Sequence, residues 1–142
     1  MTSLHTKFKD YLEQENLRYT DQKKDIVDGI LQKSDHFEID DFISEMHIKG
    51  QRLARATVYR TVKQLLEAKL IQKITGPHGR VFYEYNEVLE HHDHLICSKC
   101  GKIIEIKNQT IEKAIQKECD TLGFEPEYRS LHIYGTCSDC KK

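Results

Sequence analysis

The chain has 142 residues, of which 38% are hydrophobic and 32% charged, with only 2 Pro and 7 Gly. This balance excludes a collagenous, low-complexity or disordered chain, and the length excludes a large multidomain enzyme; one ordinary domain or two small ones remain. The 22 basic and 23 acidic residues leave a formal net charge of -1, so there is no global case for nucleic-acid binding.

The distribution of that charge is uneven. Between Lys49 and Arg80 eight basic residues (Lys49, Arg52, Arg55, Arg60, Lys63, Lys69, Lys73, Arg80) face a single acid, Glu67. A segregated field of this kind attracts phosphate at one surface while the rest stays acidic and soluble. No stretch is long or apolar enough to span a membrane, and the first residues lack a hydrophobic signal core, so a cytoplasmic location is expected. In a reducing compartment, regularly spaced cysteines ligate metal more readily than they form disulfides.

In chain order, helical spacing predicts a first helix over about Leu4 to Glu15, carried by Leu4, Phe8, Tyr11 and Leu12. A second follows Thr20, a suitable N-cap, with Ile26, Val27, Ile30 and Leu31 on one face. A third covers Ile39 to His47, and a fourth carries a stripe of Val58, Val62, Leu65, Leu66 and Leu70. Ile71 to Thr75 and Arg80 to Tyr85 read as strands around a Gly76-Pro77-His78-Gly79 loop. Helices followed by a hairpin, with the basic island on the last helix and the hairpin, predict a winged helix-turn-helix.

After Tyr85 the composition turns to His, Cys and acid, and Asn86 to Glu90 reads as the hinge. His91 to Cys97 and Lys102 to Ile106 are expected strands, Thr110 to Leu122 a helix ended by Gly123, and Tyr128 to Tyr134 a last strand. The fold class is therefore α+β: a winged helix-turn-helix DNA-binding domain over 1–85 and a small C-terminal α/β domain over 86–142. Cys119 falls in register with Ile111, Ala114, Ile115 and Leu122, which predicts a buried helical cysteine.

Cys97-Ser-Lys-Cys100 and Cys137-Ser-Asp-Cys140 are two CxxC knuckles that together offer four thiolates to one tetrahedral ion. Zinc with four Cys ligands leaves no open position for a substrate and contributes its binding energy to folding. A half-chain domain sits near the size where such a staple is needed. Redox CxxC pairs are the competing reading. In His91-His92-Asp93-His94, strand alternation puts His92 and His94 on one face and His91 and Asp93 on the other, so one strand can feed two sites. Nitrogen and oxygen ligands suit Fe(II), Mn(II) or Zn(II) without deciding among them.

HHDHLICSKCGKIIEI followed by YGTCSDC, with ARATVYRTVKQLLEAKLI upstream, resembles the ferric uptake regulator superfamily of metal-responsive repressors, from Leu17-Arg18-Tyr19-Thr20 to Cys140. The resemblance implies a dimerisation role for the C-terminal domain and one structural Zn2+ per subunit at Cys97, Cys100, Cys137 and Cys140. It implies a regulatory site of His36, Glu84, His92, His94 and Glu105, taking Fe2+ with Mn2+ or Zn2+ as substitutes; Asn86 or Glu87 could stand in for Glu84. A third site would use His91, Asp93, Glu112 and a further His, but that last position is Arg129, which could pair with Asp93 or Glu112 and imitate a cation's charge. By alternation His132 points away from the face of Arg129.

For DNA, the resemblance makes Tyr59 the base-contacting aromatic, Arg60 a phosphate contact and Arg18 the reader of an A/T-rich minor groove. Arg55, Thr57, Lys63, Lys73 and Arg80 complete the expected surface, although Tyr59 could instead pack on the core. The implied function is a homodimeric repressor, or a tetramer, that binds a double-stranded, A/T-rich, pseudo-palindromic operator when metal-loaded. Iron sensing is expected because position 105 is Glu; peroxide sensing and zinc or manganese sensing are the alternatives within the superfamily. From another class, a zinc hydrolase or deaminase would need a catalytic set that His91-His92-Asp93 does not supply. No enzyme activity, small organic substrate or membrane partner is expected.

Overall fold

The computed structural model describes residues 3–33, 36–85, 93–127 and 129–141. The chain divides into two compact units, one of residues 1–75 with 79–88 and the other of residues 89–142 with 76–78.

The first unit begins with α1 (Leu4–Gln14), α2 (Asp21–Leu31), α3 (Ile39–Ile48) and α4 (Arg55–Glu67). The Ser3 hydroxyl caps α1 by accepting from the Thr6 amide, and Thr20 caps α2 by accepting from Lys23, each satisfying one of the orphan donors at a helix start. The apolar stripes meet in one core built from Leu4, Phe8, Leu12, Ile26, Ile30, Phe42, Val58, Val62 and Leu65, all within 1% of complete burial. On α4 the inward face includes Thr61, fully buried; its hydroxyl donates to the Thr57 carbonyl at 2.7 Å, which is how a polar residue enters an apolar stripe at little cost.

Strands β1 (Gln72–Thr75) and β2 (Val81–Glu84) form the wing, with Ile74 opposite Phe82 and Gln72 opposite Glu84. Its loop closes through a 3-10 turn over Pro77–Gly79, in which His78 takes φ 58° and Gly79 φ 75°. Phe37 and Tyr83 exchange backbone hydrogen bonds at 2.8 Å in both directions. This antiparallel bridge joins the segment before α3 to the wing and brings His36 into line with Glu84.

The second unit holds β3 (Asp93–Cys97), β4 (Ile103–Ile106), α5 (Gln109–Thr121) and β5 (His132–Gly135). The sheet order is β4-β3-β5, with β4 antiparallel and β5 parallel to the central strand. The parallel pair requires a crossover, and α5 lies within it. Asn108 caps α5 by accepting from the Thr110 and Ile111 amides, and Gly123 at φ 67° follows its end, a left-handed position that glycine takes without strain.

Two expectations are corrected here. The last strand starts at His132, not Tyr128, and Tyr128 itself lies outside the described residues. No described residue of α5 is fully buried: Cys119 is half-buried, and Leu122 is 77% exposed just past its end. The helical register of Cys119 is as read, but register fixes the side a residue takes and not what covers that side.

Gly29 sits where α2 meets α3: a Cβ added there would come within 2.8 Å of Phe42 Cζ and 2.9 Å of Met46 Sδ. Both side chains are buried, so Gly29→Val should overpack the core and cost about 1–3 kcal/mol. Urea unfolding would show this as a lower midpoint at unchanged slope.

Candidate metal centres and nucleic-acid interface

Cys97 ends β3, and the turn after it carries Cys100, while Cys137 and Cys140 follow β5. Because β5 runs parallel to β3 with Gly135 beside Cys97, both knuckles leave the sheet at the same end. The four sulfurs lie within 4.8 Å of one another, and Cys100 and Cys137 Sγ are 3.7 Å apart. A tetrahedral ion with metal–sulfur bonds of about 2.3 Å needs sulfurs about 3.8 Å apart, so the donor set fits zinc.

The backbone prepares the site. The Cys100 and Cys137 amides donate to Cys97 Sγ at 3.5 and 3.4 Å, and these hydrogen bonds lower the Cys97 thiol to about 5. Cys140 is pushed up to about 12 by its side-chain hydrogen bonds to Cys137 and Cys100. A cysteine whose thiolate is favoured by backbone amides is suited to bind a cation.

Further along β3, neighbouring residues face opposite sides. His94 is fully buried and stands opposite Glu105 on β4, with a ring nitrogen and a carboxylate oxygen within 4.8 Å. His132 of β5 is paired with it in register, its ring 5.4 Å away and edge-on. The sequence reading did not assign His132 here; its alternation away from Arg129 was the available signal, but its parallel pairing with β3 was not legible. Asp93, on the other face, is 2% exposed in its side chain and receives Arg129 Nη2 on both carboxylate oxygens at 3.0 and 3.1 Å. The same Nη2 donates to Glu112 of α5. The Glu112 hydrogen bond, aided by the charge of Asp93, holds the guanidinium above its ordinary pKa against the opposing effect of burial.

His36 and Glu84 belong to the first unit. His36 is half-buried with its ring edge-on to Phe82 at 5.1 Å, and Glu84 is buried at the end of β2. His91, His92, Asn86 and Glu87 lie outside the described residues.

The expected DNA surface is mostly exposed. Tyr59 is 41% exposed on α4 and not a core residue; its ring lies 5.0 Å from the Arg55 guanidinium. Arg60, Lys63, Lys73 and Arg18 are exposed, and Thr57 is half-buried. Arg55 pairs with Asp40 at 2.7 Å, and Arg80 pairs with Glu38, so a phosphate would compete with a carboxylate at both.

A residue the sequence reading missed is Lys23, 8% exposed, whose Nζ donates to the Arg18 carbonyl at 3.2 Å. Burial, then the charge of Arg60, lower its pKa. Lys23, Arg18, Thr20, Thr57 and Arg60 line part of one open cleft of about 580 Å³. Among the described residues no helix is long and apolar enough to cross a membrane.

Loss of one sulfur should unfasten the C-terminal tail from β3. Cys97→Ser is expected to lose the tightly held zinc and to lower the melting temperature, as a chelator would in the unaltered protein. Metal analysis paired with thermal unfolding reads both, and an unchanged zinc content would refute the assignment.

Comparison with known proteins agrees with this geometry. The model of the ferric uptake regulator family matches residues 14–134. The ferric uptake regulation protein of Campylobacter jejuni is 34% identical over 137 residues, covering 94% of this chain and 86% of that protein. The structure of the Francisella tularensis ferric uptake regulator with iron superposes with a TM-score of 0.69 at 32% identity, over 89% of this chain and 96% of that one. That of the Pseudomonas aeruginosa regulator with manganese reaches 0.79 at 25% identity, over 91% and 96%. The chain belongs to the ferric uptake regulator family, whose members are metal-responsive, DNA-binding transcriptional repressors and not enzymes.

Proposed function

We propose that this protein is an iron-responsive repressor acting in the cytoplasm, which binds an A/T-rich pseudo-palindromic operator as a homodimer when a regulatory site is loaded. The observation that carries this reading is the His94–Glu105 pair: a fully buried imidazole facing a carboxylate across β3 and β4, apart from the thiolate cluster. Such a mixed nitrogen and oxygen set suits a divalent ion that exchanges with the cell's supply, whereas four thiolates retain zinc.

The full regulatory set in this proposal is His36, Glu84, His92, His94 and Glu105. Its first-unit members are aligned by the Phe37–Tyr83 bridge, and His94 and Glu105 by the pairing of β3 with β4. A metal drawing ligands from both pairs stabilises whichever domain arrangement brings them together, which is the differential affinity a switch requires. The relatives solved with iron and with manganese support the choice of ion. A homodimer accords with the exposed apolar side chains of the second unit, Ile104, Leu122, Phe124, Ile133 and Tyr134, each 39% to 77% exposed.

On DNA, α4 enters the major groove, with Tyr59 packing on thymine methyls and Arg60 and Lys63 on phosphate. Arg18, whose carbonyl is tied by Lys23, reaches the narrow minor groove.

Fluorescence anisotropy tests this under anaerobic conditions, with zinc left at the cysteines and labelled A/T-rich palindromic DNA titrated with or without Fe(II), Mn(II) or Zn(II). We expect Fe(II) or Mn(II) to tighten binding tenfold or more, about 1.4 kcal/mol of coupling. His92→Ala should remain folded and zinc-containing but lose that response. Metal-independent binding would reject the regulatory site, a preference for Zn(II) would reject iron, and no binding at all would reject the interface. In the same assay, Arg60→Ala should weaken every DNA sequence alike and reduce the salt slope by about one.

A further inference from the structure

The carboxylates of Asp93 and Glu112 are ordinary donors for a divalent ion, and the family resemblance implies a metal site at this place. The side chains present do not fit one. A single guanidinium nitrogen, Arg129 Nη2, donates to both oxygens of Asp93 and to Glu112. Asp93 is 2% exposed and Arg129 15% in their side chains, so the cation sits where an ion would otherwise have to enter. Arginine stays protonated at any pH a folded protein survives. An incoming divalent ion would meet a fixed positive charge and would have to break three charge-assisted hydrogen bonds to reach the carboxylates.

We propose that Arg129 is a built-in cation of the C-terminal unit, joining β3, α5 and the segment entering β5, and that this chain consequently has no metal site at Asp93 and Glu112. Two consequences follow. The strand that carries His94 and Cys97 is held to α5 without regard to metal supply. If the proposed function holds, the metal response is left to the site of His94 and Glu105, and an ion cannot tune the protein through this clamp.

Metal counting on the full-length chain tests this, by equilibrium dialysis against buffered Zn(II) followed by elemental analysis, with circular dichroism to confirm folding. Arg129→His replaces the cation with a ligand and should hold one more zinc per chain than the unaltered protein. Glu112→Gln, made with Arg129 in place, should leave the zinc count unchanged. A count that falls by one in Glu112→Gln would overturn the proposal, because that carboxylate would then be holding an ion beside the arginine. A folded Arg129→His protein with no additional zinc would overturn it as well, since the guanidinium would not be what excludes the ion. If Arg129→His does not fold, the Glu112→Gln count decides alone. Both comparisons are differences between variants and the unaltered chain, so they hold whether or not the regulatory site fills.

Discussion

The chemistry of the second unit depends on β3 being paired on both edges. Hydrogen bonds to β4 on one side and β5 on the other leave the strand no freedom to slip or rotate, and a shift of one residue would exchange its faces. Five residues then serve three charge clusters: Asp93 faces the arginine clamp, His94 faces Glu105, and Cys97 ends the strand at the thiolate cluster. Each cluster is anchored at a different sequence distance, to α5, to the neighbouring strand and to the C-terminal tail.

These clusters meet the demands of their polar groups differently. The thiolates are prepared by backbone amides and completed by a metal that contributes to folding. Asp93 is neutralised by a side chain of the same chain, which commits the clamp at all metal concentrations. His94 and Glu105 belong to the site proposed to respond to metal. A switch needs a site whose occupancy varies over the working range of the ion, and a permanent partner would abolish that range.

The first unit solves a different problem, which is holding a basic surface together before DNA arrives. Arg55 and Arg80 rest against Asp40 and Glu38, exposed pairs of the kind worth at most about 1 kcal/mol. Such pairs organise long side chains at small cost and yield readily to phosphate, whose contacts then set the salt dependence of binding. Lys23 differs because it is buried, and its ammonium supports the Arg18 backbone directly. The charge that orders the surface from beneath is therefore distinct from the charges that would meet DNA.

Local sequence determined all four N-terminal helices, the wing, the thiolate quartet and the opposite facing of Asp93 and His94, because each follows from a short-range rule: helical or strand periodicity, turn chemistry, or ligand spacing. The family resemblance, and not these rules, offered Arg129 as a partner for Asp93 or Glu112 without deciding between them, and one guanidinium reaching both depends on how the chain brings Asp93, Glu112 and Arg129 together. His132 beside His94 was equally hidden, because the parallel register of β3 and β5 joins residues 38 apart. Nothing in the local sequence distinguishes Lys23 from other lysines on an amphipathic helix; packing buries it and turns its ammonium toward the Arg18 carbonyl. Periodicity assigned Cys119 to a helix face correctly, but burial of that face is a property of what covers it, and only the tertiary structure decided that Cys119 is half-buried.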